Sequence, residues 1–176
     1  MSRLLRGENI DFYLAMSLDG ISVLNDLAGG VTVTLEDDFS AADPAMTKGT
    51  TLTLHGDQAE IFVRRRMDIG EGTNEARMVR QEEYLAQLSA QLESSVQQDQ
   101  QFTAQVYDAL QPYLVTDLAK GQLVNEVWAA KDDTVEPAIA LEGEHKVAED
   151  GFTEFYPTEA SIQKAVLTLF WEPVEE

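Results

Sequence analysis

The sequence predicts an α/β fold, a layered sheet flanked by helices in the manner of an αβα sandwich, carried by a single domain over residues 1–176. Three observations point there. Apolar positions change period early in the chain, from alternation at Phe12, Leu14 and Met16 to helical spacing at Leu18, Ile21, Leu24 and Leu27. A second alternating run, VTVTL at 31–35, follows directly, so strand, helix and strand succeed one another as a β-α-β element. The apolar share is 44% and cysteine is absent, which suits a core of ordinary size that needs neither disulfide nor zinc.

The elements follow in order. Residues 1–10 read as a basic, partly apolar turn leading into the first strand. Ser17 is the expected N-cap of the first helix, and Gly29-Gly30 its stop. An acidic loop over 36–49, containing Pro44, leads to TTLTL at 50–54, which Gly56 ends. Asp57 then caps a helix whose Ala59, Phe62 and Val63 face inward and whose last turn carries Arg64, Arg65 and Arg66, where the helix dipole favours cations. After a glycine-containing loop, Asn74 is expected to cap a long helix over 75–97. Its apolar face is Met78, Leu85, Leu88 and Leu92, with Arg77, Arg80, Gln81 and Tyr84 along a neighbouring face. From about residue 98 the pattern is a helix-rich cover: helices over 103–114 and from Thr116-Asp117 through Trp128, then strands over 135–141 and 151–156 forming a hairpin around GEHKVAEDG. Pro157-Thr158 opens the last helix, with Ile162, Val166, Leu169 and Phe170 at core spacing.

Charge is distributed unevenly over these elements. The net charge is -20, yet five of the 12 basic residues fall between Phe62 and Gln81: Arg64, Arg65, Arg66, Arg77 and Arg80. On charge alone, a solvated face at two helix ends is the competing explanation. An acidic chain that gathers guanidiniums on both sides of a glycine loop has nonetheless built a local anion site against its own field. Arginine suits that role because its planar fork grips phosphate or carboxylate bidentately. The overall acidity argues against nucleic-acid binding, which needs a broad basic surface. Apolar runs fall short of the roughly 18 residues of a membrane span, and Met1-Ser2-Arg3 leads into no signal-peptide core, so the chain reads as soluble. His55 and His145 stand alone and read as surface residues, while Asp37-Asp38 and Asp132-Asp133 read as solvated loop pairs.

The spacing within the cluster is more specific than its charge. Arg64-x-Arg66 followed by Asn74-x-x-Arg77-x-x-Arg80-Gln81 resembles the R-x-R and D-x-x-R-x-x-R-Q signature of the LytR-CpsA-Psr family of cell-envelope proteins. DFYLAMSLDGISVLNDLAGGVTV is similar to that family's strand, helix and Gly-Gly-Val segment, and GTTLTLHGDQAEIFVRRR to the segment ending in R-x-R. Together these cover about residues 10–88. The resemblance implies a phosphotransferase that moves an anionic glycopolymer, of teichoic acid or capsule type, from a polyprenyl-pyrophosphate carrier to peptidoglycan. The location it implies is the outer face of the cytoplasmic membrane of Gram-positive bacteria. By the same resemblance Arg64 and Arg66 are the catalytic phosphate-gripping pair, with Arg77, Arg80, Gln81 and Asn74 completing the substrate site. Arg65 falls between the paired positions and is expected to face solvent or support them. Helices and sheet are expected to enclose the polyprenyl chain, with Leu85, Leu88, Phe102 and Val106 as candidate lining.

The resemblance enters partway through the family domain. It implies that the chain is the C-terminal portion of that domain, that the magnesium of the complete domain is held by residues outside this chain, and that a membrane anchor precedes it. It follows that this chain alone is expected to be inactive. Unpaired sheet edges at such a boundary are candidate contacts for a second copy in a homodimer. Asn74 stands where the family has Asp, so a carboxylate role there is lost. The alternative is a non-catalytic module that binds polyprenyl phosphate or other anions, or a regulator, since family members have been labelled transcriptional attenuators.

Overall fold

A computed structural model describes residues 4–133 and 139–171. They fall into two compact units, Phe12–Asp133 and residues 4–11 with 139–171. The first unit contains strands β1 (Leu14–Met16), β2 (Val31–Thr34), β3 (Thr51–Leu54) and β4 (Leu114–Thr116). Its helices are α1 (Gly20–Leu27), α2 (Asp57–Arg64), α3 (Asn74–Gln98), α4 (Phe102–Leu110) and α5 (Lys120–Ala129). The second unit contains β5 (Gly143–Val147), β6 (Thr153–Pro157) and α6 (Glu159–Phe170). Among the described residues no helix is long and apolar enough to cross a membrane.

The fold is α/β, and its strands pair as three two-stranded antiparallel ladders, β1 with β4, β2 with β3 and β5 with β6. The expected β-α-β element is present as strand, helix and strand, but β1 and β2 do not share a sheet. Leu14 pairs opposite Thr116 and Val31 opposite Leu54. Periodicity reports which face of a strand is buried and carries no information about a partner far away in sequence, which is why β4 could not be foreseen. That region was expected to be helix. Pro112 lies in a short 3₁₀ turn after α4, where its missing N–H stops helical propagation, and the chain leaves extended.

The core of the first unit lies between the β2–β3 ladder and helices α2 and α3. Val31 and Val33 point inward while Thr32 and Thr34 point out. Leu35, Phe39, Met46, Leu54, Phe62, Ile69 and Tyr84 complete an interior in which each is at most 2% exposed. Buried Asn25 joins four elements: its amide donates to the Leu54 carbonyl at 2.7 Å, and its Oδ1 accepts from Val31 N and the Tyr84 hydroxyl, both at 3.2 Å. With those partners a buried amide is tolerated at little cost. Helix α1 ends at Gly29-Gly30 as expected, both at positive φ.

Several boundaries differ from expectation for identifiable reasons. Thr73, not Asn74, caps α3, its hydroxyl accepting from Ala76 N at 3.1 Å. The α3 face also turns: Met78 and Leu85 are more than half exposed, and the buried stripe is Arg80, Tyr84, Leu88 and Val96. An arginine and a tyrosine replace aliphatic residues there because each finds polar partners inside. In the second unit GEHKV is a strand rather than a loop, with His145 opposite Phe155 and Lys146 opposite Glu154. Cross-strand pairing, not hydrophobic alternation, holds it. Residues 139–141 are not strand, and the rest of the strand expected at 135–141 lies outside the described residues. Helix α6 starts as expected, with Thr158 accepting from Ser161 N.

Candidate functional site

Helix α2 ends at Arg64, two residues before the end of the expected arginine turn, and Arg65 already has extended backbone. The chain turns out of the helix there because other groups take the carbonyls that the helix leaves open. Gln81 donates to the Val63 carbonyl at 2.8 Å, and Arg80 donates from Nε to the Phe62 carbonyl at 3.4 Å and from Nη2 to the Arg65 carbonyl. The result splays three consecutive arginines. Arg64, Arg65 and Arg66 line one open cleft of about 540 Å³, together with Arg77 from the first turns of α3 and with Glu60, Ile61, Met67 and Asp68.

Four guanidiniums thus share the cleft with two carboxylates. Arg64 bonds Glu60 at 2.6 Å one helical turn earlier, and its side chain remains 60% exposed. Arg77 receives support from Asn74, whose Oδ1 accepts from Nη2 at 2.8 Å. Asn74 therefore acts through Arg77 and not as a cap. The Arg77 Nε is buried and has no hydrogen-bond partner among the described residues. Asp68 lines the same cleft in the left-handed region, at φ 64, a conformation uncommon for a residue with a side chain.

Arg80 and Gln81, expected to meet substrate, do not line the cleft. Arg80 is 7% exposed, its guanidinium lies over the Phe39 ring, and its Nη1 is 3.5 Å from Asp37 Oδ2. Burial pulls its pKa below the ordinary arginine value, Asp37 opposes that, and nearby Arg77 adds to it. The pair Arg80 and Gln81 grips the backbone beneath the cleft, which helical spacing could not distinguish from pointing into it. Arg65, expected in solvent or in support, lines the cleft because the helix has ended. Asp37 was read as solvated and is an ion-pair partner of buried Arg80; nothing in its local sequence signals this.

A second cavity in the same unit is apolar. About 290 Å³ is lined by residues including Met16, Leu92, Phe102, Val106, Leu110 and Leu123. Of the candidate lining residues, Phe102 and Val106 are there, while Leu88 belongs to the main core and Leu85 is exposed. Among the described residues no three His, Asp or Glu side chains converge as a metal-ligand set. Asp37 is committed to Arg80, Asp38 accepts from Ser40 N, and Asp132 pairs with Lys131. The described donors do not fit magnesium. His55 lies 3.5 Å from Asp26 on the surface, and His145 packs on Phe155.

A cationic cleft and an apolar cavity therefore lie in one α/β unit. The chain belongs to the LytR_cpsA_psr family, whose model matches residues 4–169. No curated protein matches it. Similar solved structures include protein gbs0355 from Streptococcus agalactiae, 21% identical with TM-score 0.73, over 95% of this chain and 59% of that one. TagV of B. subtilis is 18% identical with TM-score 0.66, over 98% of this chain and 68% of that one. A structure of TagT bound to LI-WTA is 18% identical with TM-score 0.67, over 96% of this chain and 62% of that one. The chain thus spans about three fifths to two thirds of the length of these relatives.

Proposed function

We propose that this chain carries the pyrophosphate grip and part of the lipid site of a phosphotransferase that moves an anionic glycopolymer, of teichoic acid or capsule type, from a polyprenyl-pyrophosphate carrier to peptidoglycan. The observation that carries the reading is the convergence of Arg64, Arg65, Arg66 and Arg77 on one cleft, with the Arg77 Nε buried and unpartnered. A pyrophosphate brings several negative oxygens, and charge-assisted bonds to guanidiniums are the strong class of hydrogen bond. In the transfer, a bond forms between an acceptor hydroxyl oxygen and the phosphorus attached to the polymer. The bond from that phosphorus to the bridging oxygen breaks, polyprenyl phosphate leaves with the electron pair, and the proton of the acceptor hydroxyl passes to water. Negative charge shifts toward the leaving phosphate, and Arg64 and Arg66, aided by Arg77, stabilise it where it develops.

The apolar cavity around Phe102 and Val106 supplies a place for part of the polyprenyl chain. Such a substrate sits in a membrane, so this reading puts the whole protein at the outer face of the cytoplasmic membrane. TagT, one structural relative, has been solved with LI-WTA bound, which supports an anionic polymer as cargo. Titration of the chain with a short polyprenyl pyrophosphate tests the reading. Arg66→Ala should weaken binding about tenfold, the loss of one charge-assisted contact. Equal binding by wild type and variant would sink the assignment. Binding without polymer transfer by the whole protein would leave the non-catalytic, regulatory reading.

A further inference from the structure

One carboxylate outside the cleft touches two of the segments that shape it. Asp37 lies in the loop after β2, and its side chain is 22% exposed. Its Oδ2 is 3.5 Å from Arg80 Nη1, the guanidinium that also bonds the carbonyls of Phe62 and Arg65 at the end of α2. The carboxylate also rests against Gly70, where an added Cβ would collide with Oδ1, Cγ and Oδ2. Gly70 sits at φ 51 in the loop that carries the chain from Arg66 to α3. Both ends of the splayed arginine run are therefore held from one side: Arg65 through Arg80, and the loop beyond Arg66 through Gly70.

We propose that Asp37 is a positioning residue for the anion cleft, holding Arg80 and the Gly70 loop so that the Arg65 and Arg66 guanidiniums converge with Arg77. The proposal rests on the reading of the cleft as a phosphate site and adds a residue that never touches the ligand. Its physical basis is that Arg80 cannot satisfy two backbone carbonyls from a buried position unless its own charge is balanced, and Asp37 is its ion-pair partner among the described residues. Asp37 also fills the space that the missing Gly70 side chain leaves, so charge and shape act at one contact.

The sign of the effect makes the idea testable with this chain and inorganic pyrophosphate. Asp37→Asn removes a negative charge near a cationic cleft, so simple electrostatics calls for tighter anion binding. Positioning calls for the opposite, binding weaker by about fivefold to tenfold, the loss of roughly one well-aligned charge-assisted bond. Asp38→Asn removes the neighbouring exposed charge and is the control, expected to bind as tightly as wild type or more tightly. Gly70→Ala perturbs the same contact from the other side and should also weaken binding; it decides the matter if Asp37→Asn does not fold. Arginine Nε–Hε resonances supply a second readout: pyrophosphate should shift those of Arg65 and Arg66 in wild type and much less in folded Asp37→Asn. Unchanged or tighter binding by folded Asp37→Asn, or by Gly70→Ala if that variant alone folds, overturns the proposal. A wild-type chain that does not bind pyrophosphate instead overturns the reading of the cleft, and this proposal with it.

Discussion

Arg66 and Arg80 come from one short segment and meet opposite conditions. Arg66 is exposed on the wall of an open cleft, hydrated and free to exchange water for a phosphate oxygen. Arg80 is 7% exposed, and its donors go to the Phe62 and Arg65 carbonyls with Asp37 alongside. A hydrated guanidinium contributes almost nothing to folding and a great deal to binding an anion. A buried one is stabilising only while every partner stays in place, because its desolvation cost is several kcal/mol. The upper arginines are thus open to solvent, and the lower one is committed to the backbone beneath them.

The sharpest way to break this comparison is to remove the lower arginine. Arg80→Met should cost about 3 kcal/mol or more, since it leaves two carbonyls and Asp37 without their partner. Chemical denaturation measures the loss, and pyrophosphate binding should fall with it. A loss below about 1 kcal/mol would show that Arg80 is not structural.

The buried side of the comparison extends to Tyr84, and its effect is read from pH. Burial, with help from the Asp26 charge, raises the Tyr84 pKa to about 12. A folded-state pKa above the unfolded value means that this stability is fully present below about pH 10 and is lost as pH rises toward 12. The amount is about 2 kcal/mol. Tyr84→Phe should flatten that part of the alkaline stability profile, while costing about 1 kcal/mol at neutral pH for the lost bond to Asn25.

On the cleft side, Arg66→Ala should leave stability within about 0.5 kcal/mol of wild type while weakening pyrophosphate binding about tenfold. Matched denaturation and calorimetric titrations separate the two quantities. A large stability loss would erase the distinction between the two arginines. The smallest effect is expected at Asp68, a carboxylate in the anion cleft at positive φ. Asp68→Asn keeps a side chain that tolerates the left-handed region, so stability should change by only a few tenths of a kcal/mol. Pyrophosphate binding should tighten by about twofold as the like charge is removed.

Much of this was legible in the chain. The change from period 2 to period 3.6 after Met16, the Thr158 cap and the Gly29-Gly30 stop all express local rules that the structure follows, although Asp19 and not the expected Ser17 occupies the N-cap of α1. The concentration of arginine in an acidic chain located the cleft, and the spacing Arg64-x-Arg66 with Arg77 named three of its four cationic walls. Arg65 was misjudged because helical geometry was extended two residues too far. Asp37 was invisible because its partner, Arg80, is distant in sequence. The apolar cavity was legible only in part, through Phe102 and Val106.

The sequence by itself determined which segment concentrates the arginines and which family the chain resembles, because charge, periodicity and motif spacing are local properties. Tertiary structure decided which arginines line the cleft. The same guanidinium is a binding group or a structural one according to whether a carbonyl and a carboxylate from elsewhere reach it first. At Arg80 they do, and at Arg66 the space is left open.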